Sequence, residues 1–418
     1  MNDIHILGRY PMYGELVTQG SKNAVLPLMA ASLLHRGVTV LENVPAIADV
    51  DCMVRILEGL GASINRNGGQ MQIDASCLTS CEISLEDVRK MRSSIMVLGA
   101  LVARMGQAVT YYPGGCSIGK RPVDYHIALL RELGIAVKEE GGRIETKASR
   151  YVGSAIHLAF PSVGATENAI MAATGAAGES VIYGCAREPE IVELCQFLRA
   201  MGIETMGAGT DRIWVKGQKS RQDPLFQVSG DRIAAGTYLA AAAVSGGEIC
   251  LLEAPVHHME ITLQALCGCG CQIQTEGDRI FLKAPRHLRT LPYLETAVYP
   301  GFPTDMQSIL LAVQCCGGGS GALKETIFEG RFEPVAELRK MGAHIDLEDQ
   351  LARIRGNHDL VGAEVIARDL RGGAALVVAG LGASGETIVH NCDHVDRGYE
   401  DIVKQLQKLG ARIRRVTD

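Results

Sequence analysis

A chain of 418 residues, 47% hydrophobic and 21% charged, has the composition of a globular protein with room for two domains, and none of its apolar runs is long enough to cross a bilayer. Its net charge of −6 argues against nucleic acid as a bulk electrostatic partner, so an anionic ligand would need cations concentrated locally. The opening Met1-Asn2-Asp3-Ile4-His5 has no basic-then-apolar export pattern, so the thirteen cysteines are expected to be free thiols in a cytoplasmic protein, not a disulfide framework.

Self-similarity organises the chain. A Leu/Met-Gly-Ala-x-Ile signature and its variants place a glycine at Gly61, Gly134, Gly202, Gly270, Gly342 and Gly410, with gaps of 73, 68, 68, 72 and 68 residues. Each copy follows one plan. An Ala-rich stretch comes first, at 23–34, 93–105, 166–177, 234–244, 305–314 and 372–381. These stretches are apolar nearly all round, which predicts buried helices rather than amphipathic ones. A β-rich run follows, at 38–41, 109–112, 181–183, 249–252, 326–328 and 387–389. An amphipathic helix then leads into the signature, packing in the first copy through Met53, Ile56, Leu57 and Leu60. Turns such as Asn67-Gly68-Gly69, Glu140-Gly141-Gly142 and Glu276-Gly277-Asp278 predict a closing hairpin.

The predicted unit is βαβαββ and the fold class α/β, with six units divided three and three. Residues 218–230, rich in Gln, Asp, Ser and Pro, are the expected crossover between domains. The last unit stops after Arg412-Ile413-Arg414 without a final strand, so the N-terminal strands are expected to complete it. The expected domains are therefore 22–229, and 1–21 with 230–418.

Chemistry concentrates at Pro113-Gly114-Gly115-Cys116-Ser117-Ile118-Gly119-Lys120-Arg121. Glycines free the backbone around a thiol, and Lys120 and Arg121 favour its thiolate and attract anions. A small apolar cysteine in an ordinary Gly/Pro loop is the alternative. The starts of the buried helices carry Lys22, Arg92, Thr166-Glu167-Asn168, Asp231-Arg232, Thr304-Asp305 and Arg371. Parallel inner helices would aim their positive N-termini at one face. With Arg121, Arg331 and Arg397, that face would be strongly cationic.

These motifs closely resemble the UDP-N-acetylglucosamine enolpyruvyl transferase family. The resemblance runs through Gly20-Ser21-Lys22-Asn23-Ala24, Met91-Arg92-Ser93-Ser94, Pro113-Gly114-Gly115-Cys116, Arg121-Pro122-Val123-Asp124, Ser162-Val163-Gly164-Ala165-Thr166-Glu167-Asn168, Tyr299-Pro300-Gly301-Phe302-Pro303-Thr304-Asp305, Asp369-Leu370-Arg371 and Asp396-Arg397-Gly398-Tyr399. It spans essentially the whole chain, in order. It implies a two-domain inside-out α/β barrel and transfer of enolpyruvate from phosphoenolpyruvate to the sugar 3′-oxygen through a tetrahedral ketal. Cys116 matches the family's general acid and Asp305 its base, with Lys22 and Arg397 completing the catalytic set. Lys22, Asn23, Arg92, Arg121, Arg331, Arg371 and Arg397 match the phosphoenolpyruvate site. Asn23, Arg92, Arg121, Pro122, Val123, Asp124, Ser162, Val163, Gly164, Asp305 and Ile327 match the UDP-sugar site. The resemblance also implies alkylation of Cys116 by the epoxide fosfomycin. No glycine motif follows a Rossmann or P-loop pattern, so neither a metal nor a cofactor is expected, and neither nucleic acid nor membrane is an expected partner.

The stretch Gly330-Arg331-Phe332-Glu333-Pro334 departs from the family pattern around Arg331, as does Ser229-Gly230-Asp231 at the crossover. Cys267, Cys269 and Cys271 alternate too closely for a tetrahedral metal site and are expected to pack, as are Cys315 and Cys316. His257-His258 should form a surface turn, and Glu188 and Glu190 an exposed acidic helix start. The sister 3-phosphoshikimate transferase, a silent UDP-sugar-binding paralogue and an enzyme for a modified UDP-sugar are the competing readings; the Cys116 loop argues against the first.

Overall fold

The recurring glycine has a conformational cause. Gly61, Gly134, Gly202, Gly270, Gly342 and Gly410 follow the six outer helices at φ of 103°, 76°, 80°, 102°, 88° and 92°, a left-handed region where a side chain is strained. The residue after each glycine donates its amide back to a leucine carbonyl in the last helical turn. Ala62, Ile135, Ile203, Cys271, Ala343 and Ala411 bond Leu57, Leu130, Leu198, Leu266, Leu338 and Leu406 at 2.9–3.1 Å. This is a Schellman stop repeated six times, so the motif is Leu-x-x-x-Gly with an apolar residue after it. The stop turns the chain directly into the next strand.

The computed structural model describes residues 2–112, 123–148, 150–220, 222–357 and 359–417. These residues form two units. One comprises Met1–Gln19 and Gly230–Asp418, the other the intervening described residues from Gly20 to Ser229.

Each unit is built on three inner helices. In the Gly20–Ser229 unit they are Lys22–Ser32, Val97–Met105 and Val163–Ala173; in the other they are Arg232–Ser245, Gln307–Cys315 and Leu370–Gly382. Apolar side chains on nearly every face of these helices are buried, forming one core per unit. Short side chains such as Ala240–Ala243 and Gly372-Gly373 let the inner helices approach closely. Four of the six are capped by a side chain of the preceding residue: Ser21, Ser162, Asp231 and Asp369 accept from amides in the first turn. The other two are entered through 3₁₀ turns, Arg92–Met96 and Thr304–Met306.

Sheets of mixed direction lie outside the helices. In the third repeat the order is Thr205–Met206, Arg212–Gly217, Gly178–Tyr183, Ala155–His157, with the last pair parallel. The first repeat takes its parallel strand from Leu225–Gln227, inside the stretch expected to be a bare crossover.

The N-terminus differs from expectation. Only Asn2–Leu7 completes the last repeat, lying between Glu386–His390 and Arg412–Thr417 and antiparallel to both. The second strand, Tyr13–Val17, pairs in parallel with Glu248–Leu252 in the fourth repeat. The missing strand of the last unit does not reveal this, because Gly8-Arg9-Tyr10-Pro11 separates two strands that enter different sheets. The fifth β-run is also displaced: the strand is Gly318–Lys324, and 326–328 are loop. Glycine-rich Gly318-Gly319-Ser320-Gly321 has poor strand propensity, but full pairing with Leu351–Asn357 overrides it. The Thr326 amide and hydroxyl instead bond Thr296.

Candidate active site

The described candidate residues are divided between the two units. In the Gly20–Ser229 unit, Lys22 opens the first inner helix and is only 9% exposed. A buried ammonium needs a partner, and Asp49 Oδ2 lies 2.7 Å from its Nζ. Asp49 is itself buried, in the first turn of the outer helix Ala48–Gly59, where the helix dipole favours a carboxylate. Asn23 is next along, half-buried. Arg92 begins the 3₁₀ turn before the second inner helix.

Beside it sits His126, which the sequence analysis passed over. Burial, then the nearby Arg92 charge, pushes its imidazole down to about 4, so it is neutral at pH 7. Asn168 orders this corner: its amide nitrogen bonds His126 Nδ1 at 2.7 Å and the Ile95 carbonyl at 2.9 Å, and its oxygen accepts from the Gly99 amide at 2.7 Å. The neutral ring therefore carries its proton on Nε2. A methyl placed on Gly164 would come within 3.4 Å of the His126 ring, so Gly164 lies against this ring in the first turn of the third inner helix, after the cap Ser162 and Val163. Val123 is buried and Asp124 exposed at the start of the helix Asp124–Glu132. Cys116, Arg121 and Pro122 lie outside the described residues.

Acidic residues nearby depart from the simple surface reading. Glu190 is 4% exposed, not a solvated helix-start acid. Glu167 is buried as well, and burial, then Glu190 and Glu188, holds its carboxyl well above the usual range.

On the second unit Asp305 lies in the 3₁₀ turn Thr304–Met306 and is held by two arginines. Arg331 reaches Oδ1 at 2.5 Å and Arg371 reaches Oδ2 at 3.0 Å, with both guanidinium side chains 4% exposed. Each arginine also lies over a ring, Arg331 over Phe328 and Arg371 over Tyr399. Burial works against the Arg371 charge, but Asp305 and Tyr399 outweigh it and hold the guanidinium firmly protonated. Tyr399 is buried, and its hydroxyl meets Arg371 at 3.2 Å and Thr237 at 2.9 Å. Two of the five arginines expected to bind phosphoenolpyruvate, Arg331 and Arg371, thus lie on the expected base.

Glu325, fully buried, shapes the adjoining loop. It accepts from Thr304 Oγ1 at 3.0 Å and from the Ile327 and Phe328 amides at 2.8 and 3.0 Å, which ties the loop carrying Ile327 to the residue before Asp305. The departure after Arg331 is accommodated simply: Pro334 opens the helix Pro334–Lys340 at a position where a missing amide costs nothing. Arg397 ends the 3₁₀ helix Cys392–Arg397, and the preceding Asp396 forms a two-pronged pair with Arg415, 2.7 Å on each side.

His257 and His258 lie exposed in the turn Val256–His258. Cys269 and Cys271 are buried, with thiols pushed up to about 12 chiefly by burial, whereas Cys267 is exposed rather than packed. Among the described residues no His, Cys, Asp and Glu cluster suited to a metal occurs, and no helix is long and apolar enough to cross a membrane.

The sequence is similar to known carboxyvinyltransferases. The family model of EPSP synthase (3-phosphoshikimate 1-carboxyvinyltransferase) matches residues 7–406. The chain is 44% identical over 416 residues to UDP-N-acetylglucosamine 1-carboxyvinyltransferase 2 of Caldanaerobacter subterraneus subsp. tengcongensis, covering 100% of both. It is 42% identical over 419 residues to UDP-N-acetylglucosamine 1-carboxyvinyltransferase of Dichelobacter nodosus, again covering 100% of both. The fold is similar to that of the enolpyruvyl transferase NikO from Streptomyces tendae, at TM-score 0.90 and 24% identity over 100% of this chain and 99% of that one. EPSP synthase from Acinetobacter baumannii superposes at TM-score 0.77 and 18% identity over 100% of each chain.

Proposed function

This chain belongs to the EPSP synthase family of 1-carboxyvinyltransferases, with the UDP-N-acetylglucosamine enzymes among its relatives, and we propose that it transfers the enolpyruvyl group of phosphoenolpyruvate to the 3′-hydroxyl of UDP-N-acetylglucosamine. The observation that carries this reading is identity of 42–44% along the whole chain to proteins named for that reaction. The product serves peptidoglycan precursor synthesis, and hence wall growth and cell division, in the cytoplasm.

The reaction has two balanced steps. In the addition, C3 of phosphoenolpyruvate gains a proton while the sugar 3′-oxygen bonds C2 and loses its own proton. In the elimination, C3 gives up a proton and the C2–O bond to phosphate breaks, leaving the enol ether and inorganic phosphate. Cys116 is the proposed donor to C3 and Asp305 the acceptor of the hydroxyl proton. Each Asp305 oxygen keeps a lone pair beside its arginine bond, so Asp305 can accept the proton while Arg331 and Arg371 hold it in place. Lys22, Arg121 and Arg397 bind the phosphate and carboxylate, with Arg92 adding to the positive field. Asn23 orients the acceptor. Ser162, Val163 and Gly164 offer backbone amides at a helix start to the diphosphate, with Pro122, Val123, Asp124 and Ile327 lining the nucleotide and sugar. No cofactor enters this scheme. Fosfomycin, an epoxide with a phosphonate, would alkylate the Cys116 thiolate by ring opening.

The test is phosphate release from phosphoenolpyruvate with UDP-N-acetylglucosamine and 3-phosphoshikimate as parallel acceptors. Release with the UDP-sugar alone is expected. Release with the shikimate acceptor alone would overturn the assignment, and release with neither would favour a silent paralogue or a modified sugar.

A further inference from the structure

Gln19 is the last residue of its unit before the chain crosses over, three positions ahead of Lys22. It is 7% exposed, and its amide reaches more than 370 residues along the sequence. Nε2 donates to the Gly398 carbonyl at 3.0 Å, and Oε1 accepts from the Glu400 amide at 2.9 Å. The stretch it grips begins immediately after Arg397. Its own backbone carbonyl accepts from the Asp231 amide at 2.8 Å, at the second crossing.

The gripped turn does not hold its shape unaided. Asp401 stands at φ 29°, outside the comfortable range for a residue with a side chain, and such strain persists only where neighbours enforce it. Three restraints bracket Arg397. Asp396 is tied to Arg415 and to Asn2 on the near side. Tyr399 is tied to Thr237 and Arg371 from within the core. Gln19 closes the far side with one donor and one acceptor.

We propose that Gln19 is a positioning residue for Arg397, setting the guanidinium where it meets the anionic substrate. Only a primary amide of this length supplies both bonds. Glutamate loses the donor and brings a buried charge, while leucine removes both bonds. The inference rests on the proposed role of Arg397 in binding phosphoenolpyruvate.

The experiment compares wild type with Gln19→Leu, Gln19→Glu and Gln19→Asn, alone and combined with Arg397→Lys. Gln19→Leu should raise KM for phosphoenolpyruvate about ten-fold, equivalent to about 1.4 kcal/mol, and leave KM for the UDP-sugar unchanged. Combined with Arg397→Lys it should add much less than ten-fold, because the group it positions is already altered. Equal shifts in both KM values, or full additivity, would reduce Gln19 to a framework residue and overturn the proposal. Hydrogen exchange gives a substrate-independent reading: the Glu400 amide should lose protection in Gln19→Leu, and unchanged protection would overturn the grip itself. Wild-type turnover with the UDP-sugar decides the underlying reaction separately.

Discussion

Replacing Asp305 with alanine should destabilise the unit that carries it as well as stop turnover. The change leaves Arg331 and Arg371, each 4% exposed, without the carboxylate that both now bond. Removing one partner from a buried ion pair costs about 3–5 kcal/mol. Asp305 is itself 24% exposed and Arg371 keeps its bond to Tyr399, so the lower end, about 3 kcal/mol, applies. For a unit of roughly 200 residues that corresponds to a melting point lower by about 6–12 °C. Asp305→Asn should fare little better, since its NH₂ would face a guanidinium that also only donates. Thermal and urea melts followed by circular dichroism at pH 7 measure the effect, beside phosphate release. An Asp305→Ala protein that melts within about 1 °C of wild type would refute the reasoning, because two buried guanidiniums would then be stable alone.

Acid should weaken the Gly20–Ser229 unit through His126. The folded ring, pushed down to about 4, refuses a proton that the unfolded chain takes up below about 6.5; the stabilisation is complete above that pH and falls away toward pH 4. About 3 kcal/mol is at stake, and His126→Gln should flatten that limb of a urea-melt pH series. Asp49→Asn should raise KM for phosphoenolpyruvate by freeing Lys22 to move, and unchanged kinetics would separate that ion pair from the site. Cys116→Ala should nearly abolish turnover yet retain UDP-sugar binding by calorimetry; a fully active variant would remove the thiol from the mechanism.

The repeat was legible because a left-handed helix stop admits glycine and little else, so Gly61, Gly134 and their equivalents stand out in any reading. The buried helices were legible for a similar reason: Ala234–Val244 and its counterparts have no polar face to turn outward. Strand pairing was harder. Gly318–Lys324 is a strand through its partner, not its composition, and Tyr13–Val17 joins a sheet whose other members begin at residue 248. In the candidate site, charges at helix starts drew attention to Lys22, Asp305 and Arg371. Their partners did not announce themselves: Asp49 looks like any acid in a first helical turn, Gln19 and His126 act through contacts far off in sequence, and Glu325 folds back on its own loop while reaching Thr304.

The placement of Asn2–Leu7 between Glu386–His390 and Arg412–Thr417 also sets a timetable for synthesis. The unit whose described residues run from Gly20 to Ser229 has all of its described strands once Leu225–Gln227 emerges. The first strand must wait for partners some 380 residues behind it, roughly 20–80 s at ordinary elongation rates. During that interval Ile4 and Ile6, both fully buried in the finished protein, have no sheet to enter. Residues made well before the rest of their sheet are thus among the last to be sheltered. Slower elongation late in the message should therefore lengthen the exposure of this strand to chaperones and to aggregation, while the middle of the chain is already folded.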